Sequence, residues 1–210
     1  MTNILGPTDQ EILMRARADL RLGIPIVLAN KKNDAVVAPL DVLSQTKLDQ
    51  LKSIDDDPFI LITARRAQTL KCPVYEGSFA RIVVGQATKI SSLKAIADPS
   101  LDLKSPLKGP FDNLREKPLK LETEVLWLLK SAQLLPAAIV SRIENGEKFA
   151  LENNLTYLQT EQLMNLAMSS ESISEAITAE VPTARAKSTQ FHIFRPVSYT
   201  HLTLPTTRHV

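Results

Sequence analysis

Phe59-Ile-Leu-Ile-Thr-Ala-Arg-Arg-Ala-Gln-Thr-Leu-Lys71 changes its period part-way along. Phe59–Ile62 is a short apolar run, the pattern of a strand covered on both faces, and Thr63 is placed to cap a helix over Ala64–Lys71. The same alternation extends in both directions. Upstream, Thr8-Asp-Gln-Glu11 is a capping box that starts a helix with Ile12, Ala16 and Leu20 on one face, closed by Gly23. A buried strand follows at Ile24–Ala29, then a polar turn, Asn30-Lys-Lys-Asn-Asp34, and a second strand at Ala35–Ala38. Ser44 or Thr46 caps a helix carrying Leu48, Leu51 and Ile54, which Asp55-Asp-Asp-Pro58 ends.

Downstream, the spacing predicts a strand at Ala80–Val84, a short helix around Ser92–Ala97 and a leucine-rich helix over Glu122–Gln133. A strand at Ala138–Ile143 leads into Glu144-Asn-Gly-Glu147, read as a hairpin-type turn. Tyr157–Leu158 enters a Thr160-capped helix, Glu161–Met168, and a further helix is expected at Ser172–Ala179. Short strands alternating with helices predict an α+β (α/β-like) domain, a mixed twisted sheet with flanking helices. Between these elements, Asp98–Lys120 holds Pro99, Pro106, Pro110 and Pro118, too many for a helix or inner strand. Loops of that length often cover a ligand, so this segment hints at a lid.

The chain has 210 residues, 44% apolar and 23% charged, enough for one generous domain or one domain and the start of another. Lys+Arg 25 against Asp+Glu 23 gives a net charge of +2, so neither nucleic acid nor an anionic membrane is an expected partner. A single cysteine, Cys72, excludes an internal disulfide and a Cys-rich metal cage within these residues. The six glycines lie too far apart for a GxGxxG turn or a Walker loop. There is no apolar run long enough to span a membrane and no signal peptide, so a cytoplasmic location is expected.

Val197–Val210 departs from everything before it: no acid, five Ser or Thr, and two of the three histidines. Val-Ser-Tyr-Thr-His-Leu is also what GTC TCT TAT ACA CAT CT encodes, the end of a transposon used to prepare sequencing libraries. Residues 197–210 are therefore expected to be a non-native tail, a genuine Thr-rich tail being the alternative. Without Arg208 the basic count falls from 25 to 24, against 23 acids.

Few residues offer chemistry. Asp55-Asp56-Asp57 could gather a hard cation, although a solvated turn explains the run equally well. Arg65 and Arg66 open a helix behind a Thr cap, a geometry that can hold phosphate. Lys31-Lys32 reads as a wet turn. Glu122, Glu124, Glu144 and Glu147 are the carboxylates left for acid–base work, but Glu122 and Glu124 fall on different helical faces. Cys72 has no neighbouring histidine and reads as a small core residue; outside the tail, His192 is the only histidine. No catalytic, cofactor-binding or metal-ligating residue is therefore assigned in this chain.

The order of segments adds a resemblance. Leu20-Arg-Leu-Gly-Ile-Pro-Ile-Val-Leu28, Ala35-Val-Val-Ala38 and Phe59 to Pro73 resemble 3,4-dihydroxy-2-butanone 4-phosphate synthase, whose motifs include G-x-P-V, VxAA and V-x-L-T-x-x-R-A-x-x-L-x-x-P. Ile90–Pro99, Ala132–Val140 and Ile143–Gly146 are similar to its second half, and the likeness runs in order over residues 9 to 168. That resemblance implies a metal-dependent enzyme of riboflavin synthesis acting on ribulose 5-phosphate. Its acidic metal- and sugar-phosphate-binding loop is reduced here to Asn30–Asp34. Its metal-binding histidine falls on Leu121, and the glutamate of its C-E-I strand falls on Arg142. Three such losses imply a domain without synthase activity, because a divalent ion needs oxygen or imidazole ligands.

Ile173–Ala179, Glu180-Val-Pro-Thr183 and Gln190-Phe-His-Ile-Phe-Arg195 resemble the opening of GTP cyclohydrolase II, which begins A-x-A-x-(L/V)-P-T. The two resemblances together imply residues 1–170 as a degenerate synthase-like domain, 171–196 as linker and cyclohydrolase start, and 197–210 as the tail. The parent protein would convert GTP to 2,5-diamino-6-ribosylamino-pyrimidinone phosphate, formate and pyrophosphate. Its zinc and GTP sites would lie in a missing C-terminal domain, with no cofactor in this chain. A homodimer built through the synthase-like domain is the assembly this implies. Two alternatives stand beside it: an active synthase, and a phosphate-ligand binding module at Arg65 and Arg66 under the Pro-rich loop.

Overall fold

The computed structural model of the protein describes residues 6–31, 33–75, 77–106, 108–169, 173–183 and 186–196; Lys32 and the 197–210 tail lie outside them. The chain divides into two compact units, Met1–Leu163 and Met164–Val210.

The first unit is built on a six-stranded sheet. Its strands are β1 (Ile26–Ala29), β2 (Asp34–Pro39), β3 (Phe59–Thr63), β4 (Phe79–Val83), β5 (Ala137–Ile143) and β6 (Tyr157–Gln159), in the spatial order β4-β3-β5-β2-β1-β6. Every neighbouring pair is antiparallel except β1 with β6, which is parallel. The mixed sheet with flanking helices is as the sequence pattern predicts. Nearly every residue of β1, β2 and β3 is buried, because helices cover both faces.

One face carries α1 (Asp9–Arg21) and α5 (Glu122–Ser131), which pack on each other and on the central strands. The other carries α2 (Gln45–Ile54), α3 (Ala64–Thr69), α4 (Ile90–Ala97) and α6 (Gly146–Asn153), whose Leu48, Leu51, Ala67, Leu93, Ile96 and Ala150 share one core with Val27, Val36, Ile60 and Ile139. A last helix, α7 (Thr160–Ser169), follows β6.

Local chemistry sets the helix ends. Thr8 and Glu11 form the expected capping box. Gly23, at φ +68°, donates to the Leu20 carbonyl while Ile24 donates to that of Asp19, the paired bonds that end a helix in a left-handed residue. The buried stripe of α1 is Leu13, Ala16 and Leu20, with Ile12 only half-buried. Ser44 caps α2 and Thr63 caps α3, as expected.

Two expectations fail. Glu144–Glu147 is not a hairpin turn: Asn145, itself left-handed, caps α6, its carboxamide oxygen accepting from the Lys148 N–H. Asn-Gly carries the turn signal, but Gly146 is needed for a different reason. A Cβ there would lie 2.9 Å from both Asp34 Oδ2 and Val27 Cγ1, so the helix start can approach β1 and β2 only as glycine.

Of the helix expected at Ser172–Ala179, Ser172 lies outside the described residues and residues 173–179 are instead strand. In the second unit, β7 (Ile173–Thr183) pairs antiparallel with β8 (Ala186–Pro196), with register shifts at 175/177 and 181/183. The alternation of Ile177, Ala179 and Val181 with Thr178 and Glu180 has period two, and those β-branched residues suit a strand.

Candidate functional site

The three positions where the sequence departs from its resemblance meet at one end of the sheet. The β1–β2 turn is closed by its own side chains: Asn33 N–H donates to Asn30 Oδ1 at 3.0 Å and Asn30 N–H to the Asn33 carbonyl at 2.9 Å. Both carboxamides then donate to the Leu119 carbonyl, at 2.7 and 3.0 Å. Asp34 is the turn's single carboxylate, and its Oδ2 accepts the Gly146 N–H at 2.6 Å. Lys31 is exposed and pairs with Glu161 at 2.8 Å, which raises its pKa.

Leu121 is fully buried at the start of α5. Glu122 beside it is 1% exposed and accepts from the Leu119 and Leu121 N–H groups at 2.8 and 3.1 Å. Its ionic partner is Arg81 on β4, at 3.6 Å, not Glu124. Arg81 is 5% exposed and donates to the Glu116 and Lys117 carbonyls, with the Phe59 ring 5.9 Å away. Arg81 is not among the candidates drawn from the sequence, though a lone arginine inside the apolar strand Phe79-Ala-Arg-Ile-Val83 is the signal of a buried, paired charge.

Arg142, on β5, is a junction. Its Nε donates to Asp55 Oδ2 at 3.2 Å, its Nη1 to Glu116 Oε2 at 3.0 Å and its Nη2 to the Asp57 carbonyl at 2.9 Å. The guanidinium thus sits among the oxygens that could otherwise have drawn a cation. Asp55 Oδ1 accepts the Asp57 N–H, and Asp56 and Asp57 are exposed, so the Asp55–Asp57 run is a capped turn. Among the described residues no group of three or more His, Cys, Asp or Glu converges as a metal site. An open groove of about 670 Å³ runs past Arg142, lined by Ile54, Ile143, Glu144, Lys148 and Phe149; its charges are mixed.

The phosphate reading of Arg66 is corrected. Arg66 is 9% exposed and its guanidinium is engaged at all three nitrogens: Nε donates to the Ile96 carbonyl, Nη2 to those of Ala95 and Asp98, and Nη1 and Nη2 fork onto Asp102 at 2.6 and 2.7 Å. Asp102 also receives Lys108, and the Arg66 and Lys108 bonds hold its carboxyl far below the usual carboxylate range. Arg65 is exposed at the surface while Arg66 is buried, so the pair does not form a site.

Cys72 is buried, its thiol donating to Asn113 Oδ1, and burial pushes its pKa up. Glu144 and Glu147 are exposed, and His192 stands opposite Thr178 in the β7–β8 ribbon. No helix among the described residues is long and apolar enough to cross a membrane.

No family model matches the chain, and neither does any curated protein. Solved structures do. A two-domain 3,4-dihydroxy-2-butanone 4-phosphate synthase from A. baumannii (RibBX) superposes with a TM-score of 0.59 at 14% identity, over 90% of this chain and 67% of that one. The fold is that of dihydroxybutanone-phosphate synthase. The synthase of Candida albicans gives a TM-score of 0.56 at 15% identity, over 79% of this chain and 99% of its own. A synthase in complex with two magnesium ions gives 0.57 at 12% identity, over 79% and 99%.

At such identities the comparison carries the backbone alone. Against the magnesium that the synthase fold implies, the donor set here does not fit. Leucine, arginine and two asparagines already bonded to a carbonyl offer no cage of free oxygens.

Proposed function

We propose that the first unit is a synthase-fold domain that has lost its chemistry and serves as the structural partner of a GTP cyclohydrolase II in riboflavin synthesis. Arg142 carries the reading. A cationic guanidinium, fixed between Asp55 and Glu116, occupies the position where the synthase resemblance expects a glutamate. A divalent ion brought to that place would meet positive charge. Loss of the polar groups leaves the core intact, since Leu121 fills its position as a buried apolar side chain.

The cyclohydrolase half rests on Ala179-Glu-Val-Pro-Thr183 and Gln190–Arg195, which lie on β7 and β8. The A. baumannii structure, a two-domain synthase matched over 90% of the chain, supports the synthase fold, not the cyclohydrolase half. Zinc and GTP would belong to residues following the ribbon. The domain described here would supply stability or contacts to a second copy in the cytoplasm.

Three experiments test the reading. Genomic DNA read through codon 196 should encode a cysteine cluster of metal-site spacing, and the full product should release formate from GTP. An open reading frame that continues without such cysteines would remove the cyclohydrolase from the proposal. Chemical crosslinking should capture a dimer through the first unit.

A further inference from the structure

Strand β4 is one edge of the sheet and would present a row of unpaired main-chain groups to solvent. Residues 112–117 run along it. Val83 N–H donates to the Asp112 carbonyl at 2.8 Å, Leu114 N–H to that of Arg81 at 2.9 Å, and Ile82 and Asn113 form an isolated antiparallel bridge. None of residues 112–117 is buried, and the core contact of this stretch comes from Phe111 just before it. Asn113 joins the Pro73 carbonyl to the Cys72 thiol, and Arg115 stacks over Tyr75 at 5.4 Å. Two arginines fasten the far end: Arg81 beneath the Glu116 and Lys117 carbonyls, and Arg142 on the Glu116 carboxylate.

We propose that residues 112–117 are a guard strap on the β4 edge and that Arg142 is its latch. Exposed ion pairs usually contribute little, because two long side chains must be ordered to form them. Here that ordering is already done on one side: Asp55 and the Asp57 carbonyl fix the guanidinium before Glu116 arrives. Glu116 therefore meets a preset fork, and the strap is tied through β5 to the far end of α2. The latch requires only this contact geometry and holds whether or not the cyclohydrolase reading does.

Amide hydrogen exchange on the intact chain tests it, with Glu116→Gln and Arg142→Met as separate variants. Each should speed exchange at Val83 and Leu114 by about five- to tenfold while the β3 amides keep their protection. Glu116→Gln lies on the surface and removes the charge without touching the core, so it reads the latch even if Arg142→Met folds poorly. The double variant should exchange no faster than the faster single one, because both substitutions break the same Arg142–Glu116 contact. Unchanged exchange at Val83 and Leu114 in Glu116→Gln, or an equal rise in β3, would overturn the proposal, as would additive effects in the double variant.

Discussion

Asp55 Oδ2 accepts both the main-chain N–H of Arg142, at 2.7 Å, and its Nε, at 3.2 Å, so one carboxylate oxygen fixes backbone and side chain of the same residue. Asp55 is the residue that ends α2, and Arg142 lies near the end of β5. Their bond ties a helix end to a central strand. Asp55→Asn keeps the shape and removes the charge, and is expected to cost about 1–3 kcal/mol, the range for a poorly satisfied charged hydrogen bond. Urea unfolding of the variant against the wild type measures it.

Arg81 and Glu122 are a pair almost wholly removed from water. Removing one partner strands the other, so Arg81→Met is expected to destabilise by about 3–5 kcal/mol. Arg81→Met with Glu122→Gln should cost less than the two single changes added together. A double-mutant cycle by chemical denaturation gives the coupling.

Asp102 sets an acid limit. Arg66 first, and Lys108 second, hold its carboxyl well below its unfolded value. A depressed folded pKa adds stability that is fully present above the unfolded value of about 3.9 and is lost as pH falls towards the folded one. Asp102→Asn should therefore flatten the decline of the thermal midpoint below about pH 4 and lower that midpoint at neutral pH. Melting curves across the acid range of both proteins show whether the slopes differ.

Gly146→Ala places a Cβ against Asp34 and Val27 where α6 meets the sheet. Overpacking of this kind is expected to cost about 1–3 kcal/mol, and the loss should appear in the unfolding midpoint.

What the sequence discloses follows from how local each cause is. The capping box at Thr8, the strand-to-helix switch at Thr63 and the apolar runs of β1 and β3 are written in neighbouring residues, and all are found where expected. The need for Gly146 is not legible locally, because it is imposed by Asp34, distant in sequence. Ile173–Ala179 contains residues compatible with either helix or strand, and its pairing partner β8 decides the outcome. At the site, Leu121 and Arg142 could be marked as departures, but the partners that consume Arg142 and Arg66 come from separate turns of chain. Arg66 resembled a phosphate ligand for that reason, since nothing beside it in sequence discloses Asp102.

Turnover of ribulose 5-phosphate with magnesium is the most direct measurement of whether this fold is a scaffold or a catalyst. Purified protein should consume no ribulose 5-phosphate above the protein-free background at any magnesium concentration. Consumption that grows with protein, stops on chelation and disappears on heat denaturation would show that Arg142 and its neighbours do not prevent the reaction.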